Sequence, residues 1–387
     1  MEAKLNVKKV YKIIFILLLL FVIPNKVFAI NEVINSQVES LGISSFVQEA
    51  NKYSKDFIED IDAKELLNTA ITGKIETKGI WRGVLNILGK EVSSTIKIIG
   101  SILVIIVIHS ILNSIVEGLE NKGVSQIIYY VQYILIVTIV MSNFSDILKM
   151  AKDTIQNLTG FMNTLIPILI TLMVTTGNIT SAGFVQPLLL FIMLFISNIM
   201  EMIVLPILLV ATALTIISNL SGRIQIDKLS KYFKKSIVWF IGIMLTIFVG
   251  ILSLEGTLSS SVDGITAKTV KATVSSAIPV VGKILGDTVD TVMGCANILK
   301  NAVGIVGVVI ILEICAMPII KLAVLTGLYK LMSALCQPIA DEKIVKLLDG
   351  LGDTFKILLA ILFSISTMLL IGLTIVIKMT NSSLMYR

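Results

Sequence analysis

Residues 355–377 read FKILLAILFSISTMLLIGLTIVI, 23 residues with a single charge, Lys356. Coiled into an α-helix at 1.5 Å per residue, the stretch is about 34 Å long and matches the roughly 30 Å hydrocarbon core of a bilayer. Runs of the same character recur at 96–116, 127–144, 161–176, 185–200, 202–217, 237–254 and 302–320. Over all 387 residues, 55% are hydrophobic and 15% charged, with a mean hydropathy of +0.94. An ordinary soluble domain carries roughly 25% charged residues, so the composition argues against a soluble enzyme. It predicts an all-α, polytopic integral membrane protein of six to eight transmembrane helices with an N-terminal amphipathic helical extracytoplasmic region. The run 185–217 is too long for one straight span, and Glu201 at its midpoint reads as a turn between two short helices. Residues 320–336, interrupted by Lys321 and Lys330, read as an interfacial or re-entrant element.

The amino terminus has the layout of a secretory signal. Lys4, Lys8, Lys9 and Lys12 precede an apolar run at 13–23, followed by Pro24 and the small-residue pattern Val27-Phe28-Ala29. A run this short does not span a bilayer, so 1–29 is predicted to be a signal peptide cleaved after Ala29, with an uncleaved signal anchor as the alternative. Either reading starts residue 30 on the extracytoplasmic side. Residues 30–95 are the most water-compatible part, with apolar positions at helical spacing (Ile43, Phe46, Val47; Phe57, Ile58, Ile61; Leu66, Leu67, Ala70). They predict two or three amphipathic helices broken near Gly73 and Gly79. Trp81 and Arg82 would then lie at the headgroup level ahead of the first span.

Residues 96–378 form the multi-pass domain, which includes a polar Ser/Thr/Gly-rich stretch at 255–300, and 379–387 form the tail. Between 217 and 237, Arg223, Lys228, Lys231, Lys234 and Lys235 face a single Asp227. The positive-inside rule puts this loop in the cytoplasm, which requires the 185–217 run to cross twice in this count. The net charge of +6 is therefore read as a topology signal and not as a nucleic-acid footprint.

Ionisable groups inside apolar runs cost several kcal/mol unless they face a polar interior, which makes Glu313, Glu201 and His109 the candidate intramembrane polar residues, for a pore lining or for helix packing. Lys97 lies close enough to a helix end to snorkel. Gly177, Gly183 and Pro187 suggest a helix interruption, and Pro279, Gly282 and Gly286 a close-packed break, the last two at GxxxG spacing. Asp287 and Asp290 share a helix face without a third ligand. One histidine and three isolated cysteines leave no stock for a metal centre, and no phosphate loop, nucleophile elbow or zinc-protease motif occurs. No cofactor, metal ligand or catalytic residue is expected.

Three blocks carry a family resemblance: SSSVDGITAKTVKATVSSAIPVVGKILGDTVDTVMGCANILKNAVGIVG at 259–307, GNITSAGFVQPLLL at 177–190, and LCQPIADEKIVKLLDGLGD at 335–353. In these the chain resembles the stage III sporulation protein AE family of endospore-forming bacteria. The resemblance implies a subunit, permease-like or export-apparatus-like, of the channel complex that joins mother cell and forespore. It implies a place in the outer forespore membrane and a requirement for late forespore gene expression. The implied partners, besides membrane lipid, are the other proteins of the stage III sporulation A operon, including a secretion-type ATPase and ring-forming proteins, in a hetero-oligomer without nucleic acid. The competing reading is a stand-alone secondary transporter, binding a small solute near 177–183 with Glu201 or Glu313 coupling to an ion.

Overall fold

The computed structural model describes residues 38, 42–53, 63–72, 78–117, 122–179, 182–183, 186–220, 226–277 and 281–385. Every regular element among them is a helix. Two short amphipathic helices come first, α1 (Ile43–Tyr53) and α2 (Ala63–Thr72). Long rods follow: α3 (Lys78–Glu117), α4 (Lys122–Thr175), α5 (Gln186–Ile199) running through a π turn (Met200–Val204) into α6 (Leu205–Leu220), α7 (Asp227–Ala277), α8 (Val281–Cys336) and α9 (Glu342–Met385). Among the described residues, six stretches are long and apolar enough to cross a bilayer: Leu85–Leu112, Gln126–Thr175, Pro187–Leu220, Asp227–Ser253, Thr291–Cys336 and Glu342–Ile377. The chain is an all-α polytopic membrane protein.

Helices are the form such a sequence must take, because lipid offers no partner for a free backbone group. The hydroxyls within the rods follow the same logic. Thr138, Ser197 and Thr374 each donate to the carbonyl four residues earlier, at 2.7–2.9 Å, so these polar side chains are satisfied without breaking their helices.

The hairpin of α8 and α9 is the centre of the bundle. Half of the apolar window of α8 and 56% of that of α9 are buried, against 22% for α3 and α7. α8 packs on α2, α3, α4 and α7, and α9 on α4, α5, α6 and α7. Close approach is set by glycines: a Cβ at Gly307 would meet Leu165 and Leu373, and one at Gly372 would meet Met193. Phe355 on α9 lies edge-on to Tyr329 (5.0 Å) and 6.2 Å from Phe144, tying α9 to α8 and α4.

The structure departs from the sequence reading by joining segments. Runs 127–144 and 161–176 are one continuous helix, α4. The 185–217 run is also one rod, and Glu201 sits in its π turn where a connecting turn was expected. Pro206 supplies the reason: it has no N–H for the Met202 carbonyl, and the Leu205 N–H reaches back five residues to Met200. Residues 320–336 simply continue α8, with no re-entrant element. Gly79 is the second residue of α3, beside the point where that helix starts. The segment 1–29 expected to be a signal peptide, Phe57, Ile58, Ile61, Gly73 and Pro279 lie outside the described residues.

Candidate functional site

A cleft of about 510 Å³ opens midway along the bundle between the end of α1, the middle of α4 and the middle of α8. Its walls carry Lys52 and Tyr53 from α1, Asp146, Lys149, Asp153, Thr154 and Asn157 from α4, and Glu313, Ile314, Met317 and Pro318 from α8. The α4 stretch owes its presence there to a polar interruption, SDILKMAKDTIQN at 145–157, which the helix crosses without breaking because its hydrogen bonds are internal. Pro318 leaves the Ile314 carbonyl without its helical donor.

α1 is fixed to this wall by aromatic packing. Phe46 and Tyr53 lie 6.1 and 5.8 Å from Phe161, and a Cβ at Gly160 would stand 2.9 Å from the Tyr53 hydroxyl. Burial pushes the Tyr53 phenol above its ordinary pKa. Lys52 is engaged by Glu49 at 2.6 Å, and that hydrogen bond holds its ammonium above the usual lysine value. Asp146, Lys149 and Asp153 make no hydrogen bond or ion pair among the described residues, while Glu313 is buried at 5% exposure.

The sequence candidates occupy three separate places. Glu313 is in the cleft wall. Glu201, on the π turn, accepts from Gln156 Nε2 at 2.7 Å and lies 3.7 Å from Lys152 Nζ. The polar stretch of α4 thus meets Glu201 through Lys152 and Gln156 and shares the cleft lining with Glu313 through Asp146, Lys149, Asp153 and Asn157. His109 is buried on α3 and its Nε2 is 3.0 Å from Asp341 Oδ2 in the α8–α9 turn, well removed in sequence.

Gly177 ends α4. Its φ is +82°, its N–H reaches Val174 O and the Asn178 N–H reaches Met173 O, the left-handed stop of a helix terminus. The 177–183 segment is accordingly a connection between α4 and α5 and not a break within a span. Gly183 is in that connection, and Pro187 is exposed in the first turn of α5. Gly282, Gly286, Asp287 and Asp290 fall in the opening turns of α8. Lys97 is exposed on α3. Cys295, Cys315 and Cys336 are free and buried, the second accepting from Ser366. No group of three or more His, Cys, Asp or Glu residues able to hold a metal ion occurs among the described residues.

Three polar groupings went unread in the sequence. Lys330 bonds both Asp349 and Asp353 at 2.7 Å; the only sequence trace is the i, i+4 spacing of the two aspartates. Lys234 donates to the Gly350 carbonyl at 2.7 Å, beside a Thr215–Ser230 hydroxyl pair at 2.6 Å. Lys300 is wholly buried, and its Nζ and the Oδ1 atoms of Asn297 and Asn301 lack hydrogen-bond partners. Their i, i+3, i+4 spacing on one face was the available signal.

The profile of the family described as stage III sporulation protein AE matches residues 61–380. The chain belongs to the stage III sporulation protein AE family. It is also 29% identical over 306 residues to the stage III sporulation protein AE of Bacillus subtilis (strain 168), covering 79% of this chain and 77% of that protein. No solved structure matches it. Membership ties this chain to sporulation, and the match takes in the second short helix, every long rod and the polar cleft except its α1 wall.

Proposed function

We propose that this member of the stage III sporulation protein AE family is a non-enzymatic conduit subunit of a complex between mother cell and forespore, working in the outer forespore membrane and needed for late forespore gene expression. The observation that carries the reading is the polar stretch of α4. Asp146, Lys149, Asp153 and Asn157, besides Lys152 and Gln156 which meet Glu201, are exposed on the surface of the bundle, within a stretch otherwise apolar enough to span. Lipid solvates such groups poorly. A neighbouring subunit or a water-filled passage does so well, and either makes the chain part of an assembly. The partners in this reading are the operon's secretion-type ATPase and ring-forming proteins.

The orientation follows from the same account. With the mature amino terminus outside and each of the six apolar stretches crossing once, the residues between α6 and α7 face the cytoplasm. Joining two pairs of runs removes two crossings, so the sidedness of that basic loop is unchanged. In this reading 1–29 is the signal, the extracytoplasmic region read at 30–95 gives way to the first apolar stretch at Leu85, and the membrane domain runs on to 378.

A secondary transporter is the rival, favoured by a cleft of this size with Glu313 in its wall. Removing the gene and following a late forespore reporter tests the proposal. Engulfed forespores with a silent reporter, restored by a wild-type copy, are expected. Undiminished reporter expression without the gene contradicts the conduit role.

A further inference from the structure

We infer that the outward face of the opening turns of α7 binds the headgroup of an anionic phospholipid. The lysines there are put to different uses. Lys234 is buried and donates to the Gly350 carbonyl at 2.7 Å, and Lys231 is paired with Asp227 at 2.6 Å. Lys228 and Lys235 are exposed and make no hydrogen bond or ion pair among the described residues. They stand two turns apart on one side of the helix, about 10 Å along its axis. Tyr232, 66% exposed, lies between them, and Trp239, 71% exposed, follows one turn beyond Lys235. At about 100° per residue the four positions fall within an arc of about 60°.

What this stripe runs into decides the ligand. Beyond Trp239, exposed Gly242, Thr246 and Val249 carry the same face along a stretch able to cross a bilayer, of which only 22% is buried in the bundle. From Lys228 to Trp239, about 16 Å along the axis, the stripe passes from charged to apolar, as a phospholipid does from phosphate to acyl chain. Tyrosine and tryptophan concentrate at such boundaries, because each ring has an apolar body and one polar edge. The lysine stems can lie along the helix while their ammonium groups reach the headgroup. Two unpaired ammonium groups flanking a phenol hydroxyl suit a phosphate of net negative charge. A zwitterionic headgroup brings its own ammonium, which the two lysines repel, so the face selects anionic lipid.

The inference stands apart from the conduit reading, since its test uses the purified full chain alone, in vesicles of phosphatidylcholine and phosphatidylglycerol. The chain has two tryptophans, so Trp81→Phe leaves Trp239 as the reporter. Bromine on the acyl chains of one lipid or the other, at fixed composition, quenches Trp239 fluorescence by contact. Brominated phosphatidylglycerol is expected to quench beyond its share of the bilayer, with a relative affinity over phosphatidylcholine of about tenfold or more. Lys228→Gln and Lys235→Gln should each cut that ratio about fivefold, and high salt should shrink it. Lys231→Gln should leave the ratio unchanged, because that lysine is already held by Asp227. All three side chains are exposed, so the variants should keep the parent's melting temperature, which separates a lost site from a lost fold. Equal quenching by the two brominated lipids overturns the inference. A loss in Lys231→Gln as large as in the other two also overturns it, by making the preference one of overall charge. Quenching by neither lipid overturns it as well and puts a second copy of the chain over this face.

Discussion

Replacing Gly307 with valine should loosen the centre of the bundle. A Cβ at this position stands 2.7 Å from Leu165 Cδ2 and 3.0 Å from Leu373 Cδ2, whereas carbon atoms settle at about 3.5–4.0 Å. The overlap is about 1 Å on the α4 side, and both leucines are buried, at 0% and 1% exposure, with little room to turn aside. Overpacking of this kind costs about 3 kcal/mol at the upper end of its usual range. Gly100 on α3 is the internal control, because a Cβ there meets nothing within 4 Å. Gly100→Ala removes an unfavourable helix residue and should add up to about 1 kcal/mol. At about 2 °C per kcal/mol for a chain of this size, the two variants should melt roughly 8 °C apart. Thermal unfolding of the detergent-purified protein, followed by the fluorescence of its tryptophans, reads the difference. Equal melting temperatures, or a Gly307→Val protein as stable as the parent, would refute the packing of α8 against α4 and α9.

Other outcomes follow from the same geometry. Lys330→Met removes the bridge to Asp349 and Asp353, but with these side chains 35–52% exposed the loss of stability should stay below about 1 kcal/mol and shrink in high salt; melting at two ionic strengths checks it. Pro206→Ala restores the donor for Met202, so the π turn should relax to α geometry and rotate Glu201 by about 100° relative to α6. A short bis-maleimide should join Gln156→Cys to Glu201→Cys in the parent background and fail to do so with Pro206→Ala. A cysteine at Lys228 should react with an impermeant maleimide only from the cytoplasmic side and one at Gly183 only from the opposite side; the reverse pattern would invert the proposed orientation.

The legible part of this protein was its apolar runs, since spans such as 355–377 announce themselves by length and lack of charge. What the sequence concealed was continuity. The polar stretch 145–157 looks like a connection, yet α4 passes through it because backbone bonding does not depend on which side chains point outward. Glu201 looks like a turn, and the π geometry imposed by Pro206 lets the rod continue. Gly177 was noticed, and only its positive φ and the bonds to Met173 and Val174 show that it stops a helix and does not interrupt a span. Of the candidate site, Glu313 could be picked out as a carboxylate in an apolar run. The α4 wall opposite it, the tether of α1 through Phe161, and the meeting of His109 with Asp341 are tertiary contacts for which periodicity leaves no trace.

The most direct test of the conduit account is the composition of the assembly in sporulating cells. The chain would carry an affinity tag between Leu220 and Ile226, be solubilised in mild detergent and have its companions quantified by mass spectrometry. Recovery of the secretion-type ATPase and the ring-forming proteins in a fixed ratio to the chain is the expected result. A protein recovered alone, and able to move a solute once reconstituted in liposomes, would contradict the account and make it a transporter.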